Sequence, residues 1–206
     1  MRTVSEPGCE VWLSAADKCN RTLSFSWELI RVDGELVGIN TNRPNQLVSE
    51  AILQGSIPEL SGYRSLRREV RYGRNSRIDL LLESDGGPTC FVEVKNVTMR
   101  RGRGCASPVE FPDCVTERGA KHLTELAAAA GRGERSVIVY VVQRPDAERL
   151  SIAADLDPGY AGAARMAAEA GVESICYRCH VDTEEVRLTD RIPIEMPGSL
   201  AGEAQA

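Results

Sequence analysis

An α/β layer fold, with helices covering a mixed β-sheet and a short all-β segment ahead of it, is predicted by three observations. Residues 136–142 read SVIVYVV, apolar on both faces, as a central strand buried from two sides requires. Two helical segments, at about 114–130 and 158–170, alternate with strand-like runs, a pattern that builds layered sheets. The first 40 or so residues, by contrast, carry only strand-like runs.

Taken in order, residues 10–14 and 24–32 read as strands, and Asp33-Gly34 is a hairpin turn leading to a third strand at 35–40. Three strands make an incomplete barrel with an open edge. Asn42 to Asn45 form a linker and helix start, followed by a helix over about 44–54 that Gly55 can stop. The domain boundary therefore falls near Asn42. Strands follow at 66–72, 77–83 and 90–97, then the helix at 114–130, with Asp113 as its predicted N-cap and Glu117, Lys121 and Glu125 spaced for i,i+4 pairs. After the central strand come the alanine-rich helix at 158–170, ended by Gly171, and two further strands. Residues 197–206 read as a frayed, disordered tail.

At 206 residues and 42% hydrophobic content, the chain can bury one good core plus a small appendage. It has no apolar run near the roughly 20 residues of a membrane span and no signal-like apolar start, so it reads as a soluble cytoplasmic protein. Seven cysteines at irregular spacing fit reduced thiols better than a disulfide framework. Cys176-Tyr177-Arg178-Cys179-His180 matches the string of c-type haem attachment, but positions three apart on a strand face opposite ways and cannot grip one cofactor. The net charge of −5 argues against indiscriminate nucleic-acid binding, yet residues 64–103 hold ten cations against five acids. Such local basicity suits a phosphate-backbone binder and equally suits a set of solvated arginines.

The chemistry centres on Asp79, Glu93 and Lys95. Asp79 sits in the run Ser76-Arg77-Ile78-Asp79-Leu80-Leu81-Leu82, where a charge is costly unless paired or metal-bound. On the next strand, alternation sends Glu93 and Lys95 to one face and Val92 and Val94 to the other. Only three of the 25 cationic residues are lysines, Lys18, Lys95 and Lys121. Lys95 is thus a candidate for work that needs a compact ammonium able to aid a water nucleophile. Two carboxylates and an amine so placed are what a metal-dependent phosphodiesterase site requires; an ordinary half-buried strand with a solvated Glu93 and Lys95 pair is the competing account.

Residues 75–82 (NSRIDLLL), 91–98 (FVEVKNVT) and 111–123 (FPDCVTERGAKHL) closely resemble the sugar fermentation stimulation protein (SfsA) family, and the likeness continues through 141–144 (VVQR) and 177–179 (YRC). It spans about residues 10 to 195. The resemblance implies a DNA-binding protein with an N-terminal OB-like barrel, here partial at 1–42, and a restriction-endonuclease-like PD-(D/E)XK core at 43–196. It further implies Mg²⁺, or Mn²⁺, held by Asp79 and Glu93, with the Val94 carbonyl a further ligand and Lys95 placing the attacking water. Glu50 is either an extra carboxylate ligand or a solvated helix glutamate. Arg74, Arg77, Arg100, Arg101, Arg118 and Lys121 are the expected contacts to DNA, with Thr116 near the scissile phosphate. Lys121 is also explained by an i,i+4 pair, and His122 reads as a packed or surface histidine rather than a ligand.

Two departures from the family stand out. Its usual opening strands, with a His-Cys-Pro-Asn-Thr-Gly type motif, are missing, so the barrel is truncated or the start codon misassigned. The glycine- and arginine-rich residues 100–108 look longer than usual, as a phosphate-contacting loop or a solvated insertion. Three functions compete: a metal-dependent DNA endonuclease, a non-cleaving DNA-binding regulator of sugar (maltose) metabolism, and a metabolite- or partner-binding protein.

Overall fold

The computed structural model describes residues 2–15, 23–72 and 76–196. Strands β1 (Val11–Ala15), β2 (Phe25–Val32) and β3 (Glu35–Gly38) form an antiparallel sheet in that order. Asp33 and Gly34 join β2 to β3 at φ 51 and 88, the double left-handed conformation that a tight hairpin needs and that Asp-Gly tolerates. Helix α1 (Pro44–Leu53) begins with proline in its first turn, where the missing N–H costs no hydrogen bond.

A six-stranded sheet follows, built from β4 (Ser65–Tyr72), β5 (Ser76–Glu83), β6 (Cys90–Val97), β8 (Arg135–Val142), β10 (Glu173–Val181) and β11 (Val186–Arg191). Its order is β11-β10-β8-β6-β5-β4. β4, β5 and β6 run as an antiparallel meander, β6, β8 and β10 are parallel, and β11 returns antiparallel. Helix α2 (Glu117–Ala130) carries the chain from β6 to β8, and α3 (Pro158–Glu169) from β8 to β10. Three short strands, β7 (Val109–Phe111), β9 (Leu150–Ile152) and β12 (Ile194–Glu195), make a small third sheet absent from the sequence reading, being too short to show a period.

Alternation along β8 divides the core. Val137, Val139 and Val141 join α1 residues Leu47, Val48 and Ala51 on one face, while Ile138, Tyr140 and Val142 join Leu123 and Leu126 of α2 and Tyr160 of α3 on the other. Cys176 and Cys179 of β10 fall into these opposite clusters, as the strand reading requires, and the six described cysteines are free thiols.

One predicted helix start is corrected. α2 begins at Glu117 and is capped by Thr116, whose Oγ1 accepts from the Gly119 amide at 3.0 Å; Asp113 is not its cap. The Thr116 amide in turn donates to Asp157 Oδ2 at 2.7 Å, while Asp157 Oδ1 caps α3 through the Tyr160 amide at 2.8 Å. A single buried carboxylate thereby fixes both helix N-termini, satisfying donors that helices leave unpaired.

The three-stranded sheet meets the larger one through backbone. Gly38 N–H donates to the Gln143 carbonyl at 2.9 Å, and a Cβ on Gly38 would lie 2.6 Å from Gln143 Oε1. Any larger residue there would have to displace the buried Gln143 side chain. The expected tail, 197–206, lies outside the described residues, and no described helix is long and apolar enough to cross a membrane.

Candidate functional site

The site forms where β5 parts from its neighbours. Pairing of β5 with β6 stops at Leu80↔Val92, and the β4 pairs step from Arg68↔Leu80 to Val70↔Ile78 without a Glu69↔Asp79 pair. Glu69, opposite Asp79, is held at φ 54, a left-handed conformation that is costly for a residue with a Cβ. β5 also changes sides there. Ile78 packs into the α2–α3 cluster, whereas Leu80, which ordinary alternation would put on the same face, packs into the α1 cluster.

In the gap so opened, Asp79 replaces the missing ladder bonds with its side chain. Its Oδ2 accepts from the Val94 amide and its Oδ1 from Asn45 Nδ2 of α1, each at 2.8 Å. Burial and then the charge of Glu93 push the Asp79 pKa above the usual aspartate value, outweighing those hydrogen bonds and Lys95.

Glu93 and Lys95 share one face of β6, as alternation predicts, and Lys95 Nζ donates to Glu93 Oε1 at 2.8 Å. His122 of α2 donates from Nδ1 to the same oxygen, because its Nε2 accepts from Arg118 Nε at 3.4 Å, an arrangement that fixes the proton on Nδ1. Burial opposes the Glu93 charge, but these two donors outweigh it and hold the pKa below the usual glutamate range. Both donors go to Oε1. Glu93 Oε2 is buried, with no hydrogen-bond partner among the described residues, on a side chain only 3% exposed. A bare carboxylate oxygen in that setting costs on the order of 1–3 kcal/mol or more unless something positive or protic meets it.

Asp79, Glu93 and Lys95 are therefore brought together, and Glu50 is not with them. Asn45 and Glu50 lie about 140° apart around α1, five residues along a helix of 3.6 per turn. Asn45 faces Asp79, whereas Glu50 accepts from Gln46 at 2.7 Å and lines a cavity of about 340 Å³ with Glu28, Arg43 and Asp182.

The expected DNA contacts divide. Arg100 is buried against Asp146 and cannot reach a phosphate; Arg101 is clamped between Glu110 and Asp155. Arg77 is exposed and pairs across the strands with Arg71, which is also exposed, and neither has an ion-pair partner among the described residues. Arg118 is exposed above His122, Lys121 lies 3.8 Å from Glu125 as an i,i+4 pair, and Arg74 lies outside the described residues. His122 is packed, as expected, but its bond to Glu93 was missed; the available signal was the four-residue step from Arg118 to His122 on one helix face.

Comparison with known proteins covers nearly the whole chain. A family model described as sugar fermentation stimulation protein RE domain matches residues 42–185, and one described as SfsA N-terminal OB domain matches residues 1–39. A sugar fermentation stimulation protein homolog of Paramagnetospirillum magneticum is 53% identical over 188 residues, covering 91% of this chain and 78% of its own length. The homolog of Geobacter sulfurreducens is 50% identical over 203 residues, 98% of this chain and 83% of that protein. The solved structure of Pyrococcus furiosus SfsA in complex with Ca²⁺ superimposes with a TM-score of 0.80 at 28% identity, covering 90% of this chain and 77% of that one.

Proposed function

Since the chain belongs to the sugar fermentation stimulation protein family, we propose that it binds DNA and that the Asp79–Glu93–Lys95 cleft is a divalent-cation site for phosphodiester hydrolysis. The observation that carries this reading is the one-sided bonding of Glu93: Oε1 is held by Lys95 and His122, while Oε2 is buried and bare. With Asp79 beside it, the donor set is all carboxylate oxygen, suited to hard cations such as Mg²⁺ or Mn²⁺. The Ca²⁺ bound by the Pyrococcus furiosus relative is a cation of the same hard class.

Asp79 and Glu93 would hold the ion, which when bound supplies positive charge to the phosphate oxygens and acidifies a water. His122 keeps Glu93 ionised and fixes its rotation, leaving Oε2 toward the cleft. Lys95 uses one of its three ammonium donors on Glu93 and retains two for a water or a phosphate oxygen. Asn45 and the Val94 amide hold Asp79 where the strands part. Arg71 and Arg77 stand opposite each other on the edge hairpin, a like-charge pairing that is unfavourable alone and is relieved by a phosphate between them.

The test is incubation of the protein with plasmid DNA and Mg²⁺ or Mn²⁺ beside Glu93→Ala and Lys95→Ala, with mobility shifts at rising salt. The expected result is cleavage by the native chain alone and DNA affinity that falls steeply with salt. Equal cleavage by all three proteins, or cleavage by none, removes the nuclease reading. A salt-dependent shift that survives without any cleavage would favour the non-cleaving regulator.

A further inference from the structure

Both strands of the edge hairpin turn over at one point. Leu66 of β4 and Leu80 of β5 pack into the α1 cluster, whereas Val70 and Ile78, nearer the hairpin tip, pack into the α2–α3 cluster. Positions two or four apart on a regular strand share a face, so each strand has rotated between those residues. The register is the same on either side, Arg68↔Leu80 and Val70↔Ile78, and the residues left unpaired between them are Glu69 and Asp79. Of these, Glu69 is held at the left-handed φ of 54, which a residue with a Cβ resists and which breaks the pleat of a strand. Its side chain is exposed and forms no ion pair or side-chain hydrogen bond among the described residues, so the carboxylate does not hold it there.

The rotation matters because of where it leaves Asp79. Extended past Leu80↔Val92, the β5–β6 ladder would set Ile78 opposite Val94. It stops instead, and the Val94 amide donates to Asp79 Oδ2 at 2.8 Å, with Asn45 on Oδ1. On an unrotated strand the Asp79 side chain would stand on a sheet face, away from the backbone of β6. We infer that Glu69 is a positioning residue for Asp79: its left-handed backbone turns the hairpin over and directs the aspartate into the seam between β5 and β6. Strain of this kind persists only where surrounding contacts over-determine it, and the two bonds of Asp79 are such contacts. The bearing on catalysis rests on the cation-site reading above; the placement of Asp79 does not.

Amide hydrogen exchange by NMR, on the full chain without cation or DNA, reads this placement at the Val94 N–H, with Val92 in the intact ladder as internal control. Glu69→Val, whose branched Cβ resists the left-handed region, should speed Val94 exchange about ten-fold or more, as loss of one charge-assisted bond implies, and leave Val92 unchanged. Glu69→Gly, which enters that region freely, and Glu69→Gln, which removes only the charge, should keep native protection. Mg²⁺-dependent plasmid cleavage should follow the same order, with kcat about ten-fold or more lower in Glu69→Val at unchanged KM and rescued in Glu69→Gly. Thermal melts establish which variants are folded, and Glu69→Ala, with the smaller steric conflict, replaces Glu69→Val if the latter is not. Native Val94 protection in that folded variant, or its loss in Glu69→Gly or Glu69→Gln, overturns the assignment. The expected exchange pattern in a chain that cleaves no DNA leaves Glu69 positioning Asp79 and removes only the cation-site reading.

Discussion

Glu28 and Glu93 are both strand carboxylates withdrawn from water, and they are bonded in opposite ways. Glu28 has both oxygens fully used: Oε1 accepts from Ser14 at 2.8 Å and Arg43 at 3.1 Å, and Oε2 from Asn40 at 3.0 Å and Arg43 at 3.1 Å. Among the described residues, Glu93 has both its donors on one oxygen and none on the other. The first arrangement is complete as it stands and joins β2 to the start of α1. The second leaves Oε2 without a partner among the described residues. Burial alone does not tell these two carboxylates apart; the distribution of their hydrogen bonds does.

The widest separation between the two kinds should appear at Asp146, which extends the Glu28 pattern. It holds Arg144 and Arg100, whose side chains are 1% and 2% exposed. Asp146→Ala strands two buried guanidinium groups and should lower the unfolding free energy by about 3–5 kcal/mol in urea titration. A loss below about 1 kcal/mol would mean that the pair behaves like surface charge.

A smaller contrast is expected between the two glutamates themselves. Glu28→Ala removes four charge-assisted bonds at a partly solvated position and should cost about 2 kcal/mol. Glu93→Gln keeps the shape and reduces charge at an under-bonded oxygen. Its effect on stability without metal should be within about 1 kcal/mol, while its cation binding is lost. Equal destabilisation by the two changes would break the distinction drawn here.

The smallest effect lies in the acid limb of stability. Burial opposes the Glu28 charge, but bonds from Arg43, Ser14 and Asn40 lower its pKa below 4.5. Its contribution is therefore complete above 4.5 and lost as pH falls through the lowered folded value. Asp79 has the opposite sign. Its pKa is raised above 3.8, so the folded state holds the proton more tightly and stability declines as pH rises from 3.8 through the folded value. Urea melts across an acid series should show Asp79→Asn removing that decline and Glu28→Gln flattening the acid-side loss. Parallel profiles for the two variants would contradict the assigned directions.

Much of this was legible in the chain because strand alternation is a short-range rule. Glu93 and Lys95 had to be neighbours, and an aspartate inside Ile78-Asp79-Leu80 had to find donors. What failed depended on helix phase and distant pairing. A helix at 44–54 was readable, but its rotation follows from the burial of Leu47, Val48 and Ala51, which turns Asn45 rather than Glu50 toward Asp79. Arg100 looked like loop charge because its partner, Asp146, lies 46 residues further on.

The joint at Gly38 has a mechanical consequence. Its amide grips the Gln143 carbonyl, Gln143 Nε2 donates to Asn96 Oδ1 at 2.8 Å, and Asn96 is the residue after Lys95. A displacement of the small N-terminal sheet thus reaches Lys95 through two hydrogen bonds and one peptide link.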